Sequence, residues 1–289
     1  MVGKFSPNAW IEQGRVTIRP LGLIMCRLPI LFGLLMICAC ENVALLEYHS
    51  DIERTWREAV VALPPAGSEG PVMAKMNDQH IRDQILRYAP KIRLPVVLYM
   101  HGCTGIGNYS FFERLAKAGF VVIIPDSFAR RFRPLQCDPE TKKGGFNRFI
   151  YEFRQTEIAY AVDQMAKIDW IDLSNLFLVG TSEGGVATAL YRGHEFRARV
   201  ITQWTCNGAP IVHGIAAPLN VPILSIVKSG DPWYGADRTR GQLGHCGQFM
   251  DGRPYSSSIV IEGSVGHDVY DSLEVVEKIV HFLTEHKNG

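Results

Sequence analysis

Leu176-Phe177-Leu178-Val179-Gly180-Thr181-Ser182-Glu183-Gly184-Gly185-Val186 is the stretch on which the reading of this chain turns. Four apolar residues of strand character run into a turn, and Val186 to Tyr191 continues as a helix. The pattern therefore predicts strand, sharp turn and helix in succession. Ser182 stands in that turn with Gly180 two residues before it and Gly184 two residues after it. So tight a reversal forces its central residue into a strained backbone conformation, and the flanking glycines let strand and helix approach without clashing Cβ atoms. The serine then stands exposed at a helix N-terminus, where unpaired amides and the helix dipole favour a developing negative charge. The five-residue pattern G-x-S-x-G recurs by chance in many proteins. The strand before it and the helix after it make Ser182 a candidate nucleophile.

Outward from the elbow the same alternation continues. From Leu94 on, short apolar β-rich runs alternate with helical segments, the mark of parallel strands joined by crossover helices. Strands are expected at Val96–Met100, Val121–Ile124, Leu176–Val179, Val200–Trp204, Ile223–Val227 and Ser258–Ile261. The runs are apolar without alternation, as in a sheet covered on both faces. A helix is expected around His80–Tyr88. Another spans about Ile150–Lys167, with Phe153, Ile158, Ala161, Val162 and Met165 on one face. A last one near the C-terminus carries Leu273, Val276, Ile279, Val280 and Leu283.

A serine hydroxyl is a poor nucleophile unless a histidine takes its proton and a carboxylate orients that histidine. The strand Ile223–Val227 leads into Lys228-Ser229-Gly230-Asp231-Pro232, and the strand ending at Ile261 leads into Gly263-Ser264-Val265-Gly266-His267-Asp268. Asp231 and His267 thus fall past the C-terminal ends of strands, on the edge where such sheets bind ligands. They follow the serine in the order Ser, Asp, His. Asp237 lies deeper in a loop, Asp126 precedes the serine, and Asp268 reads as solvated or as a helix cap. His281 falls inside the last helix and His245 beside a cysteine.

Val96–Met100 runs directly into His101-Gly102-Cys103-Thr104-Gly105, a turn of the type that lends a backbone amide to a tetrahedral oxyanion. The expected donors are the amides of Cys103 and Glu183. Cys103 is also a thiol, but Ser182 has the better context for a nucleophile. Together these features predict an α/β class chain with the α/β-hydrolase fold, a mostly parallel central sheet with helices on both faces.

The chain of 289 residues is 47% hydrophobic and 20% charged, with a formal net charge of +1. That suits one substantial core and argues against nucleic acid as a partner. Leu28–Cys40 reads LPILFGLLMICAC behind Arg27, the length of a signal h-region and short of the roughly 20 residues that span a bilayer. Ile37-Cys38-Ala39-Cys40 resembles a bacterial lipobox with Cys40 as the lipidated residue. The alternative is an uncleaved anchor, and both imply export, periplasmic or attached to a membrane through the N-terminus. Residues 1–24 add nothing an export signal requires. The expected organisation is a leader over 1–40, an irregular segment over 41–71 containing Pro64, Pro65 and Gly67–Pro71, and a catalytic domain over 72–289. Cys103, Cys137, Cys206 and Cys246 remain beyond the leader, an even number that suggests disulfides in an oxidising compartment. Sequence permits three connectivities, or four buried free thiols.

With the turn at His101–Gly105, the elbow at Ser182, Asp231 and His267 in place, the region from about Val72 to Phe282 resembles the dienelactone hydrolase family. The strand ending Pro125-Asp126-Ser127-Phe128 is a second similar feature. The resemblance implies a hydrolase with a small-molecule ester or lactone as substrate. No metal or other cofactor is implied, because no cluster of His and acidic residues has metal-ligand spacing. It also implies disulfides pairing Cys103 with Cys137 and Cys206 with Cys246. The chain departs from the namesake enzymes in carrying Ser182 where they have cysteine, and in lacking an obvious match for the arginines that hold the substrate carboxylate. Arg130, Arg131, Arg133, Lys142, Lys143 and Arg148 lie in one loop that could border the pocket and favour an anionic acyl group, or simply be solvated. Trp233 and Tyr234 could wall the pocket, and Arg154 and Glu157 could form a structural pair. An acyltransferase and an exported binding protein with a vestigial triad are the rival functions.

Overall fold

The computed structural model describes residues 50–88, 92–133, 137–138, 143–144, 149–207, 209, 212–233 and 245–288. Contacts divide the chain into Met1–Glu47 and Tyr48–Gly289. The expected leader and Cys40 lie outside the described residues. In chain order the elements are α1 (Asp51–Arg57), β1 (Val60–Leu63), β2 (Val72–Lys75), α2 (Gln79–Tyr88), β3 (Leu94–Met100), α3 (Tyr109–Lys117), β4 (Val121–Ile124), β5 (Cys137–Asp138) and β6 (Lys143–Gly144). They continue as α4 (Phe149–Met165), β7 (Ile171–Thr181), α5 (Glu183–Leu190), β8 (Ala198–Thr202), β9 (Ile223–Gly230), β10 (Ser257–Val265) and α6 (Leu273–Glu285).

Among the described residues the main sheet has eight strands in the order β10-β9-β8-β7-β3-β4-β1-β2. Neighbours from β10 to β4 pair in parallel, while β1 runs antiparallel to both β4 and β2. Successive residues of β3 bury on opposite faces. Val97 and Tyr99 join Phe111, Phe112 and Leu115 of α3 and Ile279 and Leu283 of α6. Val96, Leu98 and Met100 join Ile81 of α2 and Ile158, Ala161 and Met165 of α4. Each fully buried side chain of this size is worth about 1.5–3 kcal/mol, so two covered faces select unbroken apolar strands over alternating ones.

The segment expected to be irregular, 41–71, contains α1 and β1, and β1 lies inside the main sheet with Val61, Ala62 and Leu63 buried. The boundary expected at residue 72 therefore cuts through one sheet. A four-residue run stopped by Pro64 and Pro65 carries little local signal, and only pairing with β4 and β2 makes it a strand. Helix α3 was not expected either; its N-cap Asn108 is left-handed, with φ 63°. Strand β8 stops at Thr202, short of the expected Trp204, because Gln203 turns to φ 59°. Leu273, expected on the buried face of α6, is exposed. In α4 the buried face includes Arg154 and Glu157, while Phe153 and Val162 are half-buried. Among the described residues no helix is long and apolar enough to cross a membrane.

Candidate active site

Strand order explains where the candidate residues meet. The chain leaves β3 for β4 on one side and returns to β7 on the other, and the crevice at such a switch point opens beyond the strands' C-terminal ends. Met100 is in register with Gly180, so the His101–Gly105 turn lies alongside the elbow. A Cβ added to Gly102 would come 3.4 Å from the Ser182 Cβ. Ser182 itself has φ 53° and ψ −117°, a strained conformation for a residue with a side chain, and it caps α5. Its N–H donates to the Thr202 carbonyl at 2.9 Å. Gly184 is packed so closely that a Cβ there would overlap the Met100 carbonyl, and one on Gly180 would overlap the Gly184 carbonyl.

Asp231 follows β9 and His267 follows β10. The Asp231 carboxylate is buried, with Oδ2 2.7 Å from His267 Nδ1, and its Oδ1 accepts from the Trp233 N–H at 2.9 Å. Gln203 donates through Nε2 to the His267 carbonyl at 2.5 Å. Ser182, His267, Cys103, Asn108, Gln203 and Trp233 line one cleft of about 350 Å³, and Asp231 lies behind the imidazole. Trp233 thus walls the cleft, its ring centroid 5.8 Å from that of His267.

Glu183, the first residue of α5, has a buried side chain, and an early helical N–H has no partner within its own helix. On the other side of the cleft the His101 ring is buried; its Nε2 accepts from the Ser127 N–H at 3.0 Å, and Nδ1 lies 2.7 Å from the Gly102 carbonyl. An Nδ1–H tautomer satisfies both contacts. Burial first, and the Arg154 guanidinium second, hold this imidazole well below its usual pKa. Burial pushes the Glu183 carboxyl up, against the pull of Arg154 and Arg133.

Arg130 and Arg133 of the loop turn inward onto buried carboxylates. Arg130 donates to Glu157 at 2.7 Å, and Arg133 donates to Glu183 at 2.6 Å and to Ser127 Oγ at 2.9 Å. Each of these two guanidiniums is paired with a buried carboxylate rather than solvated. The expected pair of Arg154 and Glu157 forms at 2.6 Å. Cys103 is joined to Cys137 and Cys206 to Cys246, with Cα atoms 5.8 and 4.9 Å apart. Tyr234, Asp237, Lys142 and Arg148 lie outside the described residues. Among the rivals, Asp126 accepts from the Phe128 N–H, Asp268 accepts from the Tyr270 N–H and lines the cleft, His245 contacts Ser258, and exposed His281 pairs with Glu285. The role of Gln203 and the contacts of Arg130 and Arg133 carry no local sequence signal, because each depends on a partner distant in the chain. Among the described residues no group of His, Cys, Asp and Glu is arranged to hold a metal.

No protein-family model matches the chain, and no curated protein matches it. Solved structures do. A protein from Klebsiella pneumoniae subsp. pneumoniae, provisionally assigned as a dienelactone hydrolase, superposes with TM-score 0.53 at 16% identity, covering 78% of this chain and 99% of that one. One from Bacteroides ovatus, provisionally assigned as a dipeptidyl aminopeptidase IV, superposes with TM-score 0.51 at 17% identity, covering 78% of this chain and 35% of that one. The fold is that of the α/β-hydrolases.

Proposed function

We propose that this protein is a serine hydrolase that cleaves a small carboxylic ester or lactone through an acyl-enzyme on Ser182. The observation that carries the reading is the Asp231 carboxylate 2.7 Å from His267 Nδ1, with His267 and a strained Ser182 on the walls of the same cleft. Asp231 holds the imidazole with its proton on Nδ1, which leaves Nε2 as the base. Ser182 Oγ bonds to the substrate carbonyl carbon as Nε2 takes its proton, and the carbonyl oxygen becomes an oxyanion facing the amides of Cys103 and Glu183. The intermediate collapses, the C–O bond to the leaving group breaks, and the imidazolium returns the proton to the departing alkoxide. Water deprotonated by the same histidine attacks the acyl carbon, Ser182 leaves with the proton, and the carboxylic acid is released.

The two disulfides are consistent with an exported protein. Export through the N-terminal leader, with lipidation at Cys40, is part of the proposal.

Ser182→Ala is expected to lower kcat on p-nitrophenyl acetate by about 10⁴-fold or more and to abolish labelling by a fluorophosphonate probe, with Tm little changed. Near-normal turnover in that variant sinks the assignment. A binding protein would not be labelled at Ser182 even as wild type. An acyltransferase would be labelled but would hand its acyl group to an added alcohol in preference to water.

A further inference from the structure

A buried polar network lies beneath the elbow and reaches both sides of the cleft. Arg154 of α4 is fully buried. Its guanidinium donates through Nη2 to the His101 carbonyl at 2.8 Å and through Nη1 to Glu157 at 2.6 Å, and its Nε lies 3.5 Å from Glu183 Oε1, an ion-pair contact without a hydrogen bond. Glu183 also receives Arg133 at 2.6 Å, and Glu157 receives Arg130 at 2.7 Å and the Ser127 hydroxyl at 2.9 Å. Three guanidiniums and two carboxylates therefore share one water-poor space. Buried ion pairs of this kind cost desolvation that their attraction rarely exceeds, and an apolar filling of equal volume is often as stable. Stability alone does not account for the arrangement.

Its position does. One planar fork spans the carbonyl two residues before Cys103 and the side chain of the residue that follows Ser182. Those are the two backbone stretches whose amides must converge on one oxygen, at about 2.7–3.1 Å each. They follow different strands, β3 and β7, and a misplacement of about 1 Å in such a site costs about 10²-fold. The Cys103–Cys137 disulfide adds a second tether, joining the same turn to the segment that follows Arg133. We infer that Arg154 is a positioning residue that sets the separation of the two oxyanion amides by holding the His101 carbonyl and the Glu183 carboxylate on one guanidinium. The inference rests on the proposed hydrolase reading.

Arg154→Lys keeps the charge but cannot reproduce the planar fork. It is expected to lower kcat on p-nitrophenyl acetate by about 10²-fold with KM changed by less than about threefold, since the amides act on the transition state alone. Affinity for phenylboronic acid, which forms a tetrahedral adduct on the serine, should fall by about the same factor, and affinity for the acetate product should not. Where Arg154→Lys fails to fold, Glu183→Gln serves. It keeps the shape and a hydrogen-bond acceptor for Arg133 but removes the charge that both Arg154 and Arg133 face, and its kcat and boronate affinity should fall together by about tenfold. Unchanged kcat and boronate affinity in a folded variant overturn this inference while leaving the hydrolase reading intact, as does an equal loss of boronate and acetate binding. Absence of turnover and of Ser182 labelling in the wild type overturns both.

Discussion

Ser182, Gln203 and Asn108 are three non-glycine residues with φ near 60° that line the same cleft. Backbone of this kind costs about 1–3 kcal/mol per residue and persists only where its surroundings over-determine it. At Ser182 they do: the N–H is held by the Thr202 carbonyl, and close packing at Gly180 and Gly184 leaves no room for another path. Gly184→Ala should therefore lose about 3 kcal/mol or more, by driving a methyl group into the Met100 carbonyl. Gly70→Ala, where an added Cβ meets nothing within 4 Å, should change stability by less than about 0.5 kcal/mol. Urea unfolding of both variants checks this, and equal stabilities would show that the elbow is looser than described. The glycine spacing around Ser182 was legible because the constraint is local. Gln203 was not, since its left-handed turn serves a hydrogen bond to His267, 64 residues away.

Strands β3, β4, β7 and β9 were readable as elements because each is an apolar run long enough to bury on both faces. Strand β1 was not, because antiparallel pairing rather than composition makes it part of the sheet. Helix α4 departs from its apolar stripe where Arg154 and Glu157 turn inward, a substitution of charge for packing that a pattern of hydrophobic residues cannot reveal. The Cys206–Cys246 disulfide is an element-scale staple. It ties the chain after β8 to the short 3-10 helix Cys246–Phe249 that precedes β10, across a separation of 40 residues, with both sulfurs buried. Closing a loop of that length restrains the unfolded chain, so the double variant Cys206→Ala, Cys246→Ala should lose about 2–4 kcal/mol in urea unfolding. Wild type unfolded under strong reductant, which opens Cys103–Cys137 as well, should lose at least as much. No loss in either experiment would mean that this bond contributes nothing to the fold.

Across the whole molecule, the buried imidazole of His101 couples stability to pH. Burial and the neighbouring Arg154 hold it well below the ordinary histidine value in the folded protein, while in the unfolded chain it titrates near about 6.5. As pH falls below about 6.5 the unfolded state takes up a proton that the folded state refuses, so stability drops until the depressed folded pKa is reached. Burial raises Glu183 and Asp126, which act in the opposite sense; what they contribute is present in acid and lost as pH rises through their elevated folded values. The His101 contribution is isolated by comparison with His101→Gln. The stability of wild type relative to that variant should fall on acidification from pH 6.5 to 5.5, by up to about 1.4 kcal/mol per pH unit. A difference independent of pH over that range would mean that the ring is not kept neutral by its surroundings.

Taken alone, the sequence determined the class of fold, the elbow around Ser182, the order in which Asp231 and His267 follow it, and the turn after β3, because each is a short-range pattern of backbone freedom and strand ends. The antiparallel strands at one edge, the inward course of Arg130, Arg133 and Arg154, and the support of His267 by Gln203 were decided only by tertiary structure. Those features depend on which distant groups share a low-dielectric interior. There a charge or a peptide group must find its partner, wherever in the chain that partner lies.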